Sequence, residues 1–541
     1  MATVADQLVE QLWVWGVRTV FGVTGSAVFP ILEALARRDG LRYLTAHHEE
    51  GAALMASAHA KLTGELGVCL AHAGPGAAHL VNGLYDAQRD GAPVLALTGE
   101  VPESRVGTMA KQASAQNLMM ADCTDWSRLA ASPAEVPELL LGALRHACAR
   151  QGVAHLAIPV DVQAMAVADG APAPGRPGPY LRCPPTPDEG AMAAAAAVLA
   201  RAQRPGLLVG RGASGAGAQV LALAERLGAP VAVSLLAKGL VPDGHPLAVG
   251  VLGAAGSAYS DEAFADRDAI LVLGSTWWPP TGTIPPAVPI VQVDVCPEVI
   301  GGRHDVAVGI AGDVAKVVPA LARRLPHRPG LAPATWAAAH AGGKAGWLAE
   351  QHWEGWDGVP AHPARVMAEL RAALPEDAVV AVDTGLVTLW YSGYFAARQE
   401  TTLASGRWRT MGFALPAAIA AKLARPERAV VALCGDGGCG MALPELLTLA
   451  QHGVAVTVVV LNNGMLGEEA AKQAQQGRPV WGTELGPTDF AAVARACGLQ
   501  GARVDAPGAL ADSVRRALGS GRPFLVDVPT AFVATPSLQP A

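Results

Sequence analysis

The residues best equipped for chemistry lie in the last third of the chain. A strand-like run, AVVALC (429–434), leads into Gly435-Asp436-Gly437-Gly438, and after 24 intervening residues (438–461) a second run, VTVVVL, ends in Asn462-Asn463-Gly464-Met465. Two strand ends thereby present oxygen donors together. Mg²⁺ takes hard oxygen ligands in octahedral geometry and keeps phosphate oxygens among them, so Asp436, the amide oxygen of Asn463 and a backbone carbonyl such as that of Met465 suit it. Gly435, Gly437 and Gly438 let backbone N–H groups approach a diphosphate. Either motif alone reads as an ordinary turn; together at this spacing they point to a metal-diphosphate site.

Parallel α/β units must hold such strand ends. Short apolar runs alternate with Ala/Leu-rich helical stretches: LGVCLAHA, APVLALTG and AHLAIPV early; PGLLVG, APVAVS, AILVLG and PIVQVDV in the middle; AVVALCG, VTVVVLNN and PFLVDV late. Fully apolar strands separated by helices imply sheets covered on both faces. A Pro/Gly-rich stretch at 169–190 and a looser one at 326–362 read as linkers. The expected fold class is therefore α/β, with three consecutive parallel-sheet domains at 1–168, 191–325 and 363–541, and ligands at the carboxyl ends of the strands.

The pairing of GDG with NN about two dozen residues later resembles the signature of the thiamine-diphosphate (ThDP) enzymes. LGVCLAHAGPGAAHLVNGLYDAQRDGAPVLALTGEVP (66–102) resembles their acetolactate synthase and pyruvate oxidase branch, and the resemblance spans essentially the whole chain. It implies a pyrimidine-binding first domain, a Rossmann-like central domain and a diphosphate-binding third domain. By the same resemblance Asp436, Asn463 and the Met465 carbonyl hold Mg²⁺. Glu49, opening an Ala-rich helix, serves N1′ of the pyrimidine, and Gly74-Pro75-Gly76 and Asn82 lie beside the cofactor ring. Met411 wedges the two cofactor rings into a V, and the Arg409 carbonyl accepts the 4′-amino proton. Glu50 reads as a solvated neighbour. The implied reaction is decarboxylation of a pyruvate-like 2-oxo acid and transfer of the enamine to a carbonyl acceptor. The family habit of sharing sites between subunits implies a homodimer or tetramer.

Two features separate this chain from its relatives. The family's Phe-Gln-Glu motif falls on Lys111-Gln112-Ala113, and its Gly-Gly-Leu-Gly turn falls on Arg407-Trp408-Arg409. Gln112 is retained as a catalytic candidate; Lys111, Arg407 and His48 form a cationic set that favours an anionic, non-pyruvate substrate. In the central domain Gly210-x-Gly212-x-x-Gly215 follows a strand and precedes a helix, the setting of a dinucleotide fingerprint. With Asp294 and Asp313 it leaves FAD open as a second cofactor and a flavin-coupled pyruvate oxidase open as an alternative, although Trp277, Trp278 and several prolines fall where a flavin loop would pass. A catalytically silent ThDP-fold protein is the remaining reading, disfavoured by retention of Glu49, Asp436 and Asn463.

Composition narrows the field further. A net charge of −7, with no Lys/Arg cluster longer than a dipeptide such as Arg37-Arg38, offers nucleic acid no footprint. The longest apolar runs, such as VAVTVVVL (454–461), fall short of the roughly 20 residues that span a bilayer. No signal-like segment opens the sequence. The eight cysteines are scattered without a CxxC pair, so a reducing cytoplasm is the expected setting.

Overall fold

A computed structural model describes residues 2–167, 173–178, 181, 184–276, 284, 287–325, 333–352, 355, 358–506 and 508–538. Three six-stranded sheets follow one another along the chain, and every strand pairing within them is parallel. In spatial order the first sheet runs Arg42–Thr45, Thr19–Gly22, Gly67–Ala71, Val94–Glu100, Val153–Pro159, Trp126–Leu129. The third runs Thr401–Ala404, Val379–Val382, Val430–Gly435, Thr457–Asn462, Phe524–Pro529, Gln500–Arg503. Both therefore have the order 2-1-3-4-6-5. The central sheet has the doubly wound order 3-2-1-4-5-6, built on Pro205–Val209 and Ala269–Leu273.

The apolar runs read from the sequence are interior strands of these sheets. Gly67–Ala71, Val94–Glu100 and Pro205–Val209 are buried at every position. Helices cover both faces, so the strands carry no alternation of apolar and polar residues. In the first and third sheets the order reverses between strands one and three, which leaves a crevice at their carboxyl ends. Asp383 and Asp436 stand at that crevice in the third domain, directly after Val379–Val382 and Val430–Gly435.

The first and third domains share one core. Helix Glu49–Thr63 buries Ala52, Ala53, Ala56 and Ala60 in the same cluster as Ala414, Ala417, Ala418 and Ala421 of helix Ala414–Ala424. Small side chains on both surfaces let the two helix axes approach closely. The chain segment that begins with Glu49 is thus fixed against the segment that follows Met411.

The two sequence-read linkers are less loose than their composition implies. Gly175 accepts hydrogen bonds from Gln11 Nε2 (2.7 Å) and Trp15 Nε1 (2.8 Å), which fastens the first linker to the opening helix. The second contains helices Pro333–Ala339 and Ala341–His352, with Trp347 buried against Tyr259 (5.6 Å between centroids) and Trp336 stacked on His340. Trp277, Trp278, Trp353, Trp356 and Cys183 lie outside the described residues.

Candidate active site

In the third domain, Asp436 opens the short helix Asp436–Met441 and turns its carboxylate toward the end of the neighbouring strand. Its Oδ2 accepts from the backbone N–H groups of Asn463 (3.1 Å), Gly464 (2.5 Å) and Met465 (3.2 Å), while Oδ1 accepts from Gly437 (2.9 Å). The GDG and NN motifs are therefore in direct contact. Burial pushes the Asp436 carboxyl up, against the opposing pull of those four amides. No cationic side chain pairs with it among the described residues. A buried carboxylate beside the Asn463 amide oxygen and the Met465 backbone is a fitting donor set for a hard divalent cation.

A cavity of about 390 Å³ opens beside this turn, lined by Met411, Gly435, Asp436, Asn463 and Met465 among others. A Cβ on Gly435 would meet nothing within 4 Å, so that backbone lies open to a ligand. All of the cavity's described wall residues lie between Pro363 and Val533; none comes from the first domain.

Sequence reasoning missed Asp383, which ties the site together. It is buried and accepts from the N–H groups of Thr384 (2.8 Å), Gly412 (2.9 Å) and Ala414 (3.3 Å). Burial pushes its carboxyl up to about 6, with those amides opposing. Asp383 thereby anchors the turn that carries Met411. The run VVAVDTG, a strand ending in an acidic residue like LCGDG, was the available signal.

In the first domain, Glu49 opens helix Glu49–Thr63, and His48 caps it, its Nδ1 accepting from the Glu50 N–H (3.2 Å). Glu49 Oε2 accepts from His79 Nδ1 (2.9 Å), and His48 stacks on His79 at 4.6 Å. A Cβ on Gly76 would stand 3.2 Å from Glu49 Oε1, so the Gly74-Pro75-Gly76 turn and Glu49 are neighbours. Gly74 has φ +61° and its missing Cβ would fall 2.7 Å from the Gln112 carbonyl oxygen. Gln112, itself left-handed at φ +66°, bonds to His72 Nε2 through Oε1 (3.1 Å).

Glu50 is not the solvated neighbour the sequence suggested. It is half-buried, and its Oε1 accepts from Asn82 Nδ2 (2.7 Å), because the fused core turns the start of its helix toward the third domain. Asn82 also donates to Thr410 Oγ1 (2.8 Å) and accepts from Trp408 Nε1 (2.6 Å). Behind the same helix, Glu445 of the third domain packs against Gly51 and accepts from Thr448 Oγ1 (2.6 Å), with the His47 and His48 amides close by.

None of Lys111, Arg407 and His48 is among the cavity's described wall residues. Lys111 is exposed, His48 is occupied as a helix cap, and Arg407 is held by its backbone N–H to Asp90 (2.9 Å). Arg409 instead lines the cavity, with its guanidinium 3.8 Å from Glu468. In the central domain the fingerprint glycines have packing reasons. A Cβ on Gly210 would lie 2.3 Å from the Gly274 oxygen, and one on Gly212 would lie 2.8 Å from Gly274 Cα. Asp313 caps helix Val314–Arg324 through the Ala315 N–H (2.8 Å).

Three α/β domains with a buried acidic turn against an Asn-rich strand end define a class of cofactor-dependent enzyme, and comparisons with known proteins specify it. "Thiamine pyrophosphate enzyme, N-terminal TPP binding domain" matches residues 2–122, the corresponding central domain matches 192–321 and the C-terminal TPP binding domain matches 383–528. The thiamine pyrophosphate-containing protein YdaP of Bacillus subtilis is 36% identical over 97% of this chain and 91% of its own length. Pyruvate oxidase of Lactiplantibacillus plantarum is 32% identical over 96% and 87%, and the acetolactate synthase large subunit of Parasynechococcus marenigrum is 31% identical over 97% and 87%. The chain belongs to the thiamine pyrophosphate (ThDP) enzyme family. Among the described residues, no helix is long and apolar enough to cross a membrane.

Proposed function

We propose that this enzyme uses ThDP and Mg²⁺ to decarboxylate a 2-oxo acid and to pass the remaining acyl unit to a carbonyl acceptor. The observation that carries the reading is the buried Asp436 carboxylate set against Asn463–Met465 at the cavity wall. Asp436, Asn463 and the Met465 carbonyl are the residues to hold the metal, with the diphosphate over the open backbone of Gly435. Bound ThDP supplies a carbon nucleophile that stabilises the charge left by departing CO₂. Glu49 is the group to hold a proton against the pyrimidine, in the space that Gly76 leaves free. Met411 gives the cavity an apolar wall that excludes water from the reacting centre.

The cavity has walls from the third domain alone, and Glu49 sits in the first. This supports a site completed by a second copy of the chain, hence a homodimer at least. Mixing an inactive Glu49→Gln chain with an inactive Asp436→Ala chain then restores activity through hybrid dimers; no recovery would count against a shared site.

The central test is CO₂ release from pyruvate by purified protein with ThDP and Mg²⁺, with NMR of the product. Acetolactate or acetoin identifies carboligation. No release of CO₂ from pyruvate or from dianionic 2-oxo acids would overturn the reading. The oxidative alternative has one observation in its favour: Asp294 is buried at the end of Ile290–Asp294, and burial pushes its carboxyl up, with the Cys296 and Val295 amides and then Arg211 and Arg407 opposing. FAD at that crevice would give visible absorption in the isolated protein and acetate as product.

A further inference from the structure

We infer that Asn82 and Trp408 form a clasp through which the first domain positions the third-domain loop 405–411, so that both act on the cofactor cavity without touching the cofactor. The inference rests on the proposed ThDP reading of that cavity. It assigns Asn82 a different task from a direct cofactor contact.

Successive residues of this loop are held from the first domain. Asp90 accepts from the N–H groups of Gly406 and Arg407, both at 2.9 Å. The Trp408 ring stacks on Tyr85 at 4.3 Å with an 11° interplanar angle, and its Nε1 donates to Asn82 Oδ1 at 2.6 Å. Asn82 Nδ2 donates to Thr410 Oγ1 at 2.8 Å, and Thr410 Oγ1 donates to the Met411 carbonyl at 3.0 Å. The residue between these anchors, Arg409, stands at φ +58°, a conformation that a side chain holds only when its neighbours over-determine it. Arg409 and Met411 both line the cavity.

Both N–H donors of the Asn82 amide are committed to protein groups, and its oxygen already accepts one bond. Its amide nitrogen donates to Glu50 and Thr410, and its oxygen accepts from Trp408. It thus bridges the residue next to Glu49 and the residue next to Met411. Donation to a cofactor would require one of the two Nδ2 bonds to break, whereas positioning needs all three.

The test uses Asn82→Ala, Trp408→Ala and the double variant, with two measurements on full-length protein. Amide hydrogen exchange of residues 405–411, measured without cofactor, is expected to quicken in each single variant. The dissociation constant for ThDP with Mg²⁺, by calorimetry, is expected to rise about tenfold in each, the effect of losing one or two hydrogen bonds. The double variant is expected to be no weaker than the weaker single, because both act through one loop. Circular dichroism of the bound cofactor at saturation is expected to lose intensity as the Met411 wall shifts.

Unchanged exchange would overturn the clasp. Faster exchange with wild-type ThDP affinity would reduce it to a fold contact and overturn positioning. Multiplying effects in the double variant would place Asn82 on the cofactor directly. A wild-type protein that binds no ThDP would instead defeat the proposed function, while the exchange measurement still reports on the clasp. Trp408→Phe, which keeps a ring on Tyr85, carries the same test if the alanine variant fails to fold.

Discussion

Gly438 lies against Asp383 so closely that a Cβ at position 438 would stand 2.6 Å from the Asp383 Cγ. Asp383 in turn holds the Gly412 and Ala414 amides, so the diphosphate turn and the Met411 turn meet through one buried carboxylate. Gly438→Ala must displace either the carboxylate or the helix Asp436–Met441. The expected result is a stability loss of about 1–3 kcal/mol from overpacking, together with weaker ThDP binding. Urea unfolding and a cofactor titration measure the two; a variant with wild-type values in both would show that Asp383 moves freely.

Glu445 gives a pH dependence with a defined sign. Burial pushes its carboxyl from 4.5 up to about 7, and the Thr448 hydroxyl and the nearby His47 and His48 amides only partly offset this. Between those values the folded chain keeps a proton that the unfolded chain has released. Stability therefore falls as pH rises through that window, and the cost is complete above about 7. Glu445→Gln removes the ionisation and is expected to gain stability relative to wild type at pH 8 over pH 4.5, on the order of 3 kcal/mol. Parallel wild-type and variant unfolding profiles across that range would refute the assignment.

The interior of each sheet was legible in the sequence because interior parallel strands are continuous apolar runs. All six edge strands fall outside the runs read there. Four of them, Arg42–Thr45, Trp126–Leu129, Val308–Ala311 and Gln500–Arg503, are only partly buried, and all but Val308–Ala311 mix polar with apolar residues. Thr19–Gly22 and Val379–Val382 are interior but only four residues long. At the site, GDG and NN were legible because a metal-diphosphate turn constrains consecutive residues. Asp383, Glu445 and the Asn82–Trp408 clasp were not, because each acts across elements distant in sequence. No local spacing records that Asn82 meets a residue 326 positions away.

Arg409 adopts a left-handed conformation, φ +58°, that glycine takes without a steric penalty. Its ion pair with Glu468, at 3.8 Å and partly exposed, contributes little in return. Arg409→Gly is expected to stabilise the cofactor-free protein by roughly 1 kcal/mol, and Arg409→Val to destabilise it by more than that. Thermal unfolding of the two variants decides the matter. A glycine variant less stable than wild type would mean that the guanidinium holds the loop and the strain is small.

Lys61 is the buried charge on which the domain junction depends. Its Nζ lies 2.7 Å from Asp86 Oδ2 and 2.6 Å from Asp90 Oδ2, with all three side chains almost fully buried. Burial pushes both carboxyls up; at Asp86 it prevails, whereas Lys61, Arg211 and the Arg407 amide bring Asp90 below its ordinary value. Asp90 joins all three domains, since its carboxylate holds Gly406 and Arg407 and its carbonyl accepts from Arg211. Lys61→Met removes the cation that both buried carboxylates share and leaves Asp86 without a counter-charge, an expected loss of about 3–5 kcal/mol in urea unfolding. The Asp86 carboxylate serves only Lys61 and Ser57 among the hydrogen bonds of the described residues. Adding Asp86→Leu to Lys61→Met is therefore expected to recover part of that loss, while adding Asp90→Leu, which releases the 405–411 loop, is not. Equal recovery from both second substitutions would show that Asp90 contributes charge balance alone and does not fasten the third domain to the first.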